Sequence, residues 1–361
     1  MINLLYVLLA ILVLEFLIFI HELGHFAAGK LLGFRVLGFS LGFGPAIFKK
    51  KVGETEYAFR IIPFGGACQF DGEDEDAEND PRRFNANPVW KRFIVILAGP
   101  LMNIVTAFII AFGFLLASPQ PVFATDPETG SSVAYISNVN ASGAADRSGV
   151  KPGDVLVAIN GEKPDPGESG SMVAAFADAI GKMKGDFSLT VLRDGVEQTL
   201  EIVGAYNPAL DNTKMGIELS TVVDSYEHLN VGEAFVGSGE YLINIVKATA
   251  QGIGNMFKYG IKQGDVSGVV GTVGIMVDVA QENTVNIFLV AVVLSLSLGL
   301  FNLIPFPALD GGRLLFLIIE AIIGRPLNRK VEAVVNGIGL VLLFGLMIVV
   351  TASDIMGLLG K

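Results

Sequence analysis

Residues 4–30 read LLYVLLAILVLEFLIFIHELGHFAAGK. A helix needs roughly 20 mostly apolar residues to cross the hydrocarbon of a bilayer, and the run from Ile2 to about Ala28 qualifies. It has neither the basic start nor the small-residue cleavage site of a signal peptide. It ends in His21-Glu22-Leu23-Gly24-His25. Residues four apart share a helix face, so His21 and His25 can grip one zinc ion with Glu22 beside it. Zinc suits neutral imidazole, and Glu22 is placed to act as general base on a zinc-bound water. Two of the chain's three histidines lie here, at a depth where polar groups are costly and usually functional. The third, His228, stands alone and reads as a structural or exposed residue.

The rest of the composition agrees with a membrane protein. Hydrophobic residues make up 52% of the 361 and charged residues 17%, against about a quarter charged in a soluble domain. Further spans are expected at Phe93–Ala117, Asn286–Leu303 and Val334–Thr351, with Leu314–Ile323 a shorter, partly embedded helix. The 29–92 loop carries ten Lys and Arg, and Arg313, Arg325, Arg329 and Lys330 cluster near the last span. Both connections are therefore expected on the cytoplasmic side. Residues 118–283 hold ten Lys/Arg against twenty-one Asp/Glu, which is the whole net charge of −11. That excess excludes a nucleic-acid partner and is expected outside the membrane. Cys68 is the sole cysteine, so no intrachain disulfide forms.

Inside the acidic segment, Val133–Val139, Val155–Asn160, Phe187–Leu192 and Gln198–Val203 read as strands, and Ser171–Met183 has helical spacing. The run ASGAADRSGVKPGDVLVAIN at 141–160 resembles a bacterial PDZ domain, a module that takes extended peptide ends as an added strand. Residues 234–259 read as a glycine-bearing helix lying along the membrane surface.

A catalytic zinc needs a third protein ligand, and a carboxylate near the cytoplasmic face is the candidate. Asp310 sits in NLIPFPALDGG at 302–312, where Pro305 and Pro307 break the helix and Gly311 and Gly312 permit close backbone approach. With HELGH at 21–25, GFGP at 42–45, FNANPVWKR and AGPLMN across 84–103, and the PDZ-like run, the chain resembles the bacterial site-2 proteases over nearly its whole length.

The resemblance implies a polytopic α-helical protein of about four spans, with a re-entrant β-hairpin around 38–66 and an inserted α/β PDZ domain. It divides the chain at 1–28, 29–91, 92–117, 129–206, 207–285 and 286–356. It implies an intramembrane zinc metalloendopeptidase of the bacterial inner membrane that cuts single-span membrane proteins already trimmed outside. The site is near the cytoplasmic face and the PDZ unit outside. The implied roles are zinc ligation for His21, His25 and Asp310, catalysis for Glu22, and substrate handling for Asn302, Asn103, Gly42 and Gly44. Glu15 is expected to be a buried structural or outer-cavity residue, and Glu320 to face the cytoplasmic interface. An inactive membrane-tethered PDZ adaptor and an ion transporter are the rival readings.

Overall fold

The computed structural model describes residues 4–73, 80–126, 130–167, 171–207, 212–260 and 266–359. In chain order the elements are α1 (Leu4–Leu31), β1 (Val36–Val52), β2 (Thr55–Phe70), α2 (Val89–Ala117), β3 (Gln120–Phe123), β4 (Ala134–Val139), α3 (Ala144–Arg147), β5 (Val155–Ile159), α4 (Met172–Lys182), β6 (Phe187–Arg193) and β7 (Val196–Ile202). They continue with β8 (Tyr206–Asn207), β9 (Asn212–Thr213), β10 (Ile217–Thr221), β11 (Val223–Glu227), α5 (Val231–Tyr259), α6 (Val269–Glu282), α7 (Ile287–Asn302), α8 (Asp310–Ile323) and α9 (Arg329–Leu359). Two compact units result: Met1–Ala117 with Asn230–Lys361, and Ser118–Leu229.

The first unit is a polytopic membrane protein. Four of its helices are long and apolar enough to cross a bilayer: Leu4–Leu31, Val89–Ala117, Thr284–Asn302 and Arg329–Met356. Small residues let them meet closely. A Cβ on Gly24 of α1 would lie 2.4 Å from the Ala98 carbonyl oxygen of α2, and one on Gly299 of α7 would lie 2.8 Å from the Pro100 oxygen. Pro100 sits inside α2 and brings no N–H to the carbonyl one turn back. Strands β1 and β2 form one long hairpin with many register shifts, in which Gly38, Phe39, Ser40 and Leu41 each pair twice with β2. Its far part exposes Phe43, Ile47, Phe48, Ile61 and Ile62.

The 234–259 segment, expected along the membrane surface, is part of α5 and packs one side against α2, with Phe235 edge-on to Phe108 and Leu242 buried with Ala107, Ala111, Val292 and Leu296. Val236 and Ile243 stay exposed on it. One expectation is corrected here: Glu320 does not face an interface. It is 5% exposed, and its carboxylate accepts two bonds from the Arg92 guanidinium, at 2.5 and 3.1 Å. Burying it requires a matched partner, and the start of α2 supplies one.

The second unit carries a five-stranded sheet in the order β10-β4-β5-β6-β7. Its core includes Ile136, Leu156, Phe176, Ile180, Leu189, Val191 and Met215. Asp154 is 1% exposed, and both its oxygens are held by the Arg193 guanidinium at 2.7 Å. The expected boundary at 206 falls short. The edge strand β10 pairs with β4 well beyond it, and β11 pairs with β3 to join the unit's two ends.

Candidate metal centre

His21 and His25 project from the last third of α1 because it continues helically to Leu31. Asp310 reaches them by a sharper route. After α7 ends at Asn302, Pro305 and Pro307 prevent helical continuation. Ala308 adopts φ +73°, with its N–H donated to Asn336 Oδ1 at 3.2 Å. α8 then starts hard against the turn: a Cβ on Gly311 would lie 2.2 Å from the Ile304 oxygen, and one on Gly312 2.4 Å from the Phe306 oxygen. Only glycine lets the backbone close this tightly.

The outcome is a triangle of ligand atoms. Asp310 Oδ2 is 3.0 Å from His21 Nε2 and 3.3 Å from His25 Nε2, and the two Nε2 atoms are 3.2 Å apart. His25 Nδ1 lies 2.9 Å from the Val95 carbonyl oxygen. That oxygen can only accept, so Nδ1 carries a proton and Nε2 is the atom turned on the cluster. Asp310 Oδ2 is buried and faces both Nε2 atoms. With both rings neutral the three atoms are lone-pair donors of the kind that one cation binds. Zinc bonds of about 2.0–2.2 Å set tetrahedral ligand atoms roughly 3.3–3.6 Å apart, close to the separations found. These residues fit a zinc ion.

Glu22, His21, His25, Asp310 and Asn302 line one cavity of about 370 Å³. The Glu22 carboxylate accepts the Cys68 backbone N–H, and a Cβ on Gly66 would come 2.6 Å from Glu22 Cγ. Asn103 is fully buried; its Nδ2 is drawn 3.5 Å from His21 Nδ1 while its Oδ1 has no partner. Turning the amide over lets Oδ1 accept a His21 Nδ1–H, which would hold that ring as Val95 holds His25. Gly42 and Gly44 do not line the cavity; Phe43 between them does. Their φ values of +81° and +84° give them a backbone reason to be glycine. Glu15 is 8% exposed with both oxygens unpartnered. His228 is exposed in the other unit.

In the sequence Arg313 stands among the clustered basic residues, and Gly99 and Gly65-Gly66 fall inside the matched stretches, but none of them is given a role at the metal site there. A Cβ on Gly99 would lie 2.3 Å from His25 Nε2, so a bare α2 backbone is what leaves room for the ring. The Gly65-Gly66 pair in an otherwise bulky strand was the signal available for a close approach.

Residues 9–346 match peptidase family M50. The chain belongs to this family. It is 36% identical over 347 residues to an inferred zinc metalloprotease of Nostoc sp., covering 94% of this chain and 93% of that one. It is 30% identical to the regulator of sigma-W protease RasP of Bacillus subtilis, covering 94% and 95%, and 28% identical to the zinc metalloprotease RasP of Bacillus licheniformis, covering 96% and 97%. The M50 protein is accordingly a zinc metalloprotease held in a membrane.

Proposed function

We propose that His21, His25 and Asp310 hold the zinc of this enzyme, that Glu22 is its general base, and that it cuts single-span membrane proteins within their membrane segment. The observation that carries this is the convergence of two imidazole nitrogens and one carboxylate oxygen within 4.8 Å of one another. Bound zinc would polarise the peptide carbonyl and bring the pKa of a water to about 7. Glu22, in the same cavity, takes the proton from the attacking water and passes it to the leaving amine. Asn103 holds the His21 ring. Asn302, on the cavity wall, is free to donate its amide to the carbonyl oxygen as negative charge develops.

A substrate helix hides its carbonyls in its own hydrogen bonds, so it must unwind to be cut. The backbone at Gly65-Gly66, bare of side chains beside Glu22, gives the unwound strand an edge to approach, and the hairpin around it acts as a re-entrant guide. The Lys/Arg-rich connections support a cytoplasmic location for the Asp310 end and an outside location for the 118–229 unit. That unit acts as a PDZ domain for a trimmed peptide end. Its edge strand β10 with α4 packed beside it supports the reading, since an extended peptide can add to such an edge. The cell-level role is regulated intramembrane proteolysis in a bacterial inner membrane.

The test is purified protein with a membrane-anchored test substrate. Cleavage that stops with a chelator and in Glu22→Gln is the expected result. Undiminished cleavage by metal-stripped protein refutes the reading.

A further inference from the structure

The catalytic cavity shares a wall with a second, larger one. This chamber, about 520 Å³, is bounded by residues of α2, α8 and α9 and by Glu73, Phe84 and Asn85. Ile96, Ala308 and Arg313 line both spaces. The volume is within the range of roughly 300–1,000 Å³ used for ligand sites.

Its wall is mixed: Phe84, Ile96, Phe316, Leu317 and Leu340 stand beside arginines and glutamates. Arg313 pairs with Glu73 and Arg329 with Glu332, while Arg92 and Arg329 also reach Glu320, which is not part of the wall. Paired charges among apolar side chains suit a polypeptide segment, which carries both polar and apolar groups, better than a free ion or a bare lipid tail. The chamber also lies at the end of the unit that carries the Lys/Arg-rich connections. The ligand cluster's other neighbours, Ile18 and Leu298, lie farther along the spans. A chain that passes the cluster toward the cytoplasm therefore meets the wall of Ile96, Ala308 and Arg313 next.

We propose that this chamber is a substrate subsite: it receives the polar, extended stretch of polypeptide immediately on the cytoplasmic side of the cut bond. The proposal rests on the peptidase reading above. Cytoplasmic flanks of single-span proteins are polar and rich in Lys and Arg, and a wall that carries paired charges can solvate such a segment where lipid cannot. Ala308 sits at the junction, small and fixed by Asn336, which keeps the shared wall thin.

Gly337 gives a clean test. It lines the chamber in the first third of α9, and a Cβ there meets nothing within 4 Å. Gly337→Trp therefore fills the chamber without displacing backbone. Gly345→Trp is the control, on the same helix, equally open and outside the chamber wall. Two test substrates share one span; one has a long polar cytoplasmic flank, and in the other the flank stops just past the mapped cut. Gly337→Trp is expected to lower kcat/KM for the flanked substrate roughly tenfold and leave the short one at the wild-type rate, with bound zinc unchanged. Gly345→Trp should cut both at the wild-type rate. Equal rates on the flanked substrate, or equal slowing of both, overturn the proposal, the second outcome pointing to a lipid site or a disturbed ligand cluster. A wild-type protein that cuts neither refutes the peptidase reading and the subsite with it. As a second readout, a photoreactive side chain at 337 in the Glu22→Gln background should cross-link the flank. Cross-links to lipid alone count against it.

Discussion

The two ends of α8 bury ionisable groups in opposite ways. At its start, Asp310 faces two imidazole nitrogens, three atoms of types that bind a metal. Ten residues later, Glu320 meets Arg92 in a two-pronged bond that matches a charge with its opposite. The second arrangement is complete as it stands and holds α8 to α2; the first is the one proposed to be completed by zinc. Burial alone does not distinguish a reactive cluster from a structural one; the identity of the partners does.

The sharpest way to break that contrast is at the incomplete end. Asp310→Asn or His25→Ala should release the metal and drop cleavage to background, read by elemental analysis and a substrate assay. Glu22→Gln should keep the metal and still lose about 10²–10⁴-fold in rate, the span typical of general acid–base catalysis. A Glu22→Gln protein that cuts normally would remove Glu22 from the mechanism. The supports of the rings come next. Gly99→Ala, which pushes a methyl into the His25 ring, and Asn103→Leu should each weaken metal affinity about 10–100-fold, measured by competition with a chromophoric chelator.

The complete end should respond in stability. Arg92→Met alone should destabilise by about 3–5 kcal/mol because it strands a buried charge, whereas Arg92→Met with Glu320→Met should recover most of the loss. Thermal unfolding in detergent with metal content followed in parallel checks this; a double variant as unstable as the single would mean the pair is more than a charge match. In the other unit, burial works against the Asp154 carboxylate, but the Arg193 guanidinium and the Lys151 N–H outweigh it and hold its pKa below the usual carboxylate value. A depressed folded pKa contributes stability above the unfolded value of about 3.9 and loses it as pH falls through the folded one. Hydrogen-exchange protection of the 118–229 unit, corrected for the intrinsic rate, should therefore fall on acidification below about pH 4, and Arg193→Met should flatten that dependence. The smallest effect is expected at Glu15, a lone orphan with no companion acceptor. Glu15→Gln should change cleavage by less than about threefold, and a larger loss would place it in the reaction.

Several elements were legible before any coordinates. The four spans needed only length and hydropathy, because a bilayer demands long apolar helices whatever their neighbours. The pairing of His21 with His25 needed only the helical repeat. The strands of the acidic unit, such as Val155–Ile159 and Phe187–Arg193, followed from alternation and β-branched residues. Less local features were not legible. β10 joins the sheet through β4, a partner some eighty residues away, and α5 found its place through an apolar face that fits lipid and α2 equally well on paper.

The sequence by itself determined which segments enter the membrane and which groups could bind a metal, since both depend on side-chain chemistry and on repeats only a few residues long. Tertiary structure alone decided that Glu320 meets Arg92 and that Gly99 makes room for a ring, and it brought Asp310 to those histidines as the NLIPFPALDGG motif led one to expect. Such contacts join residues that are dozens or hundreds of positions apart. They depend on how closely backbones pack, a quantity that no local pattern in the chain encodes.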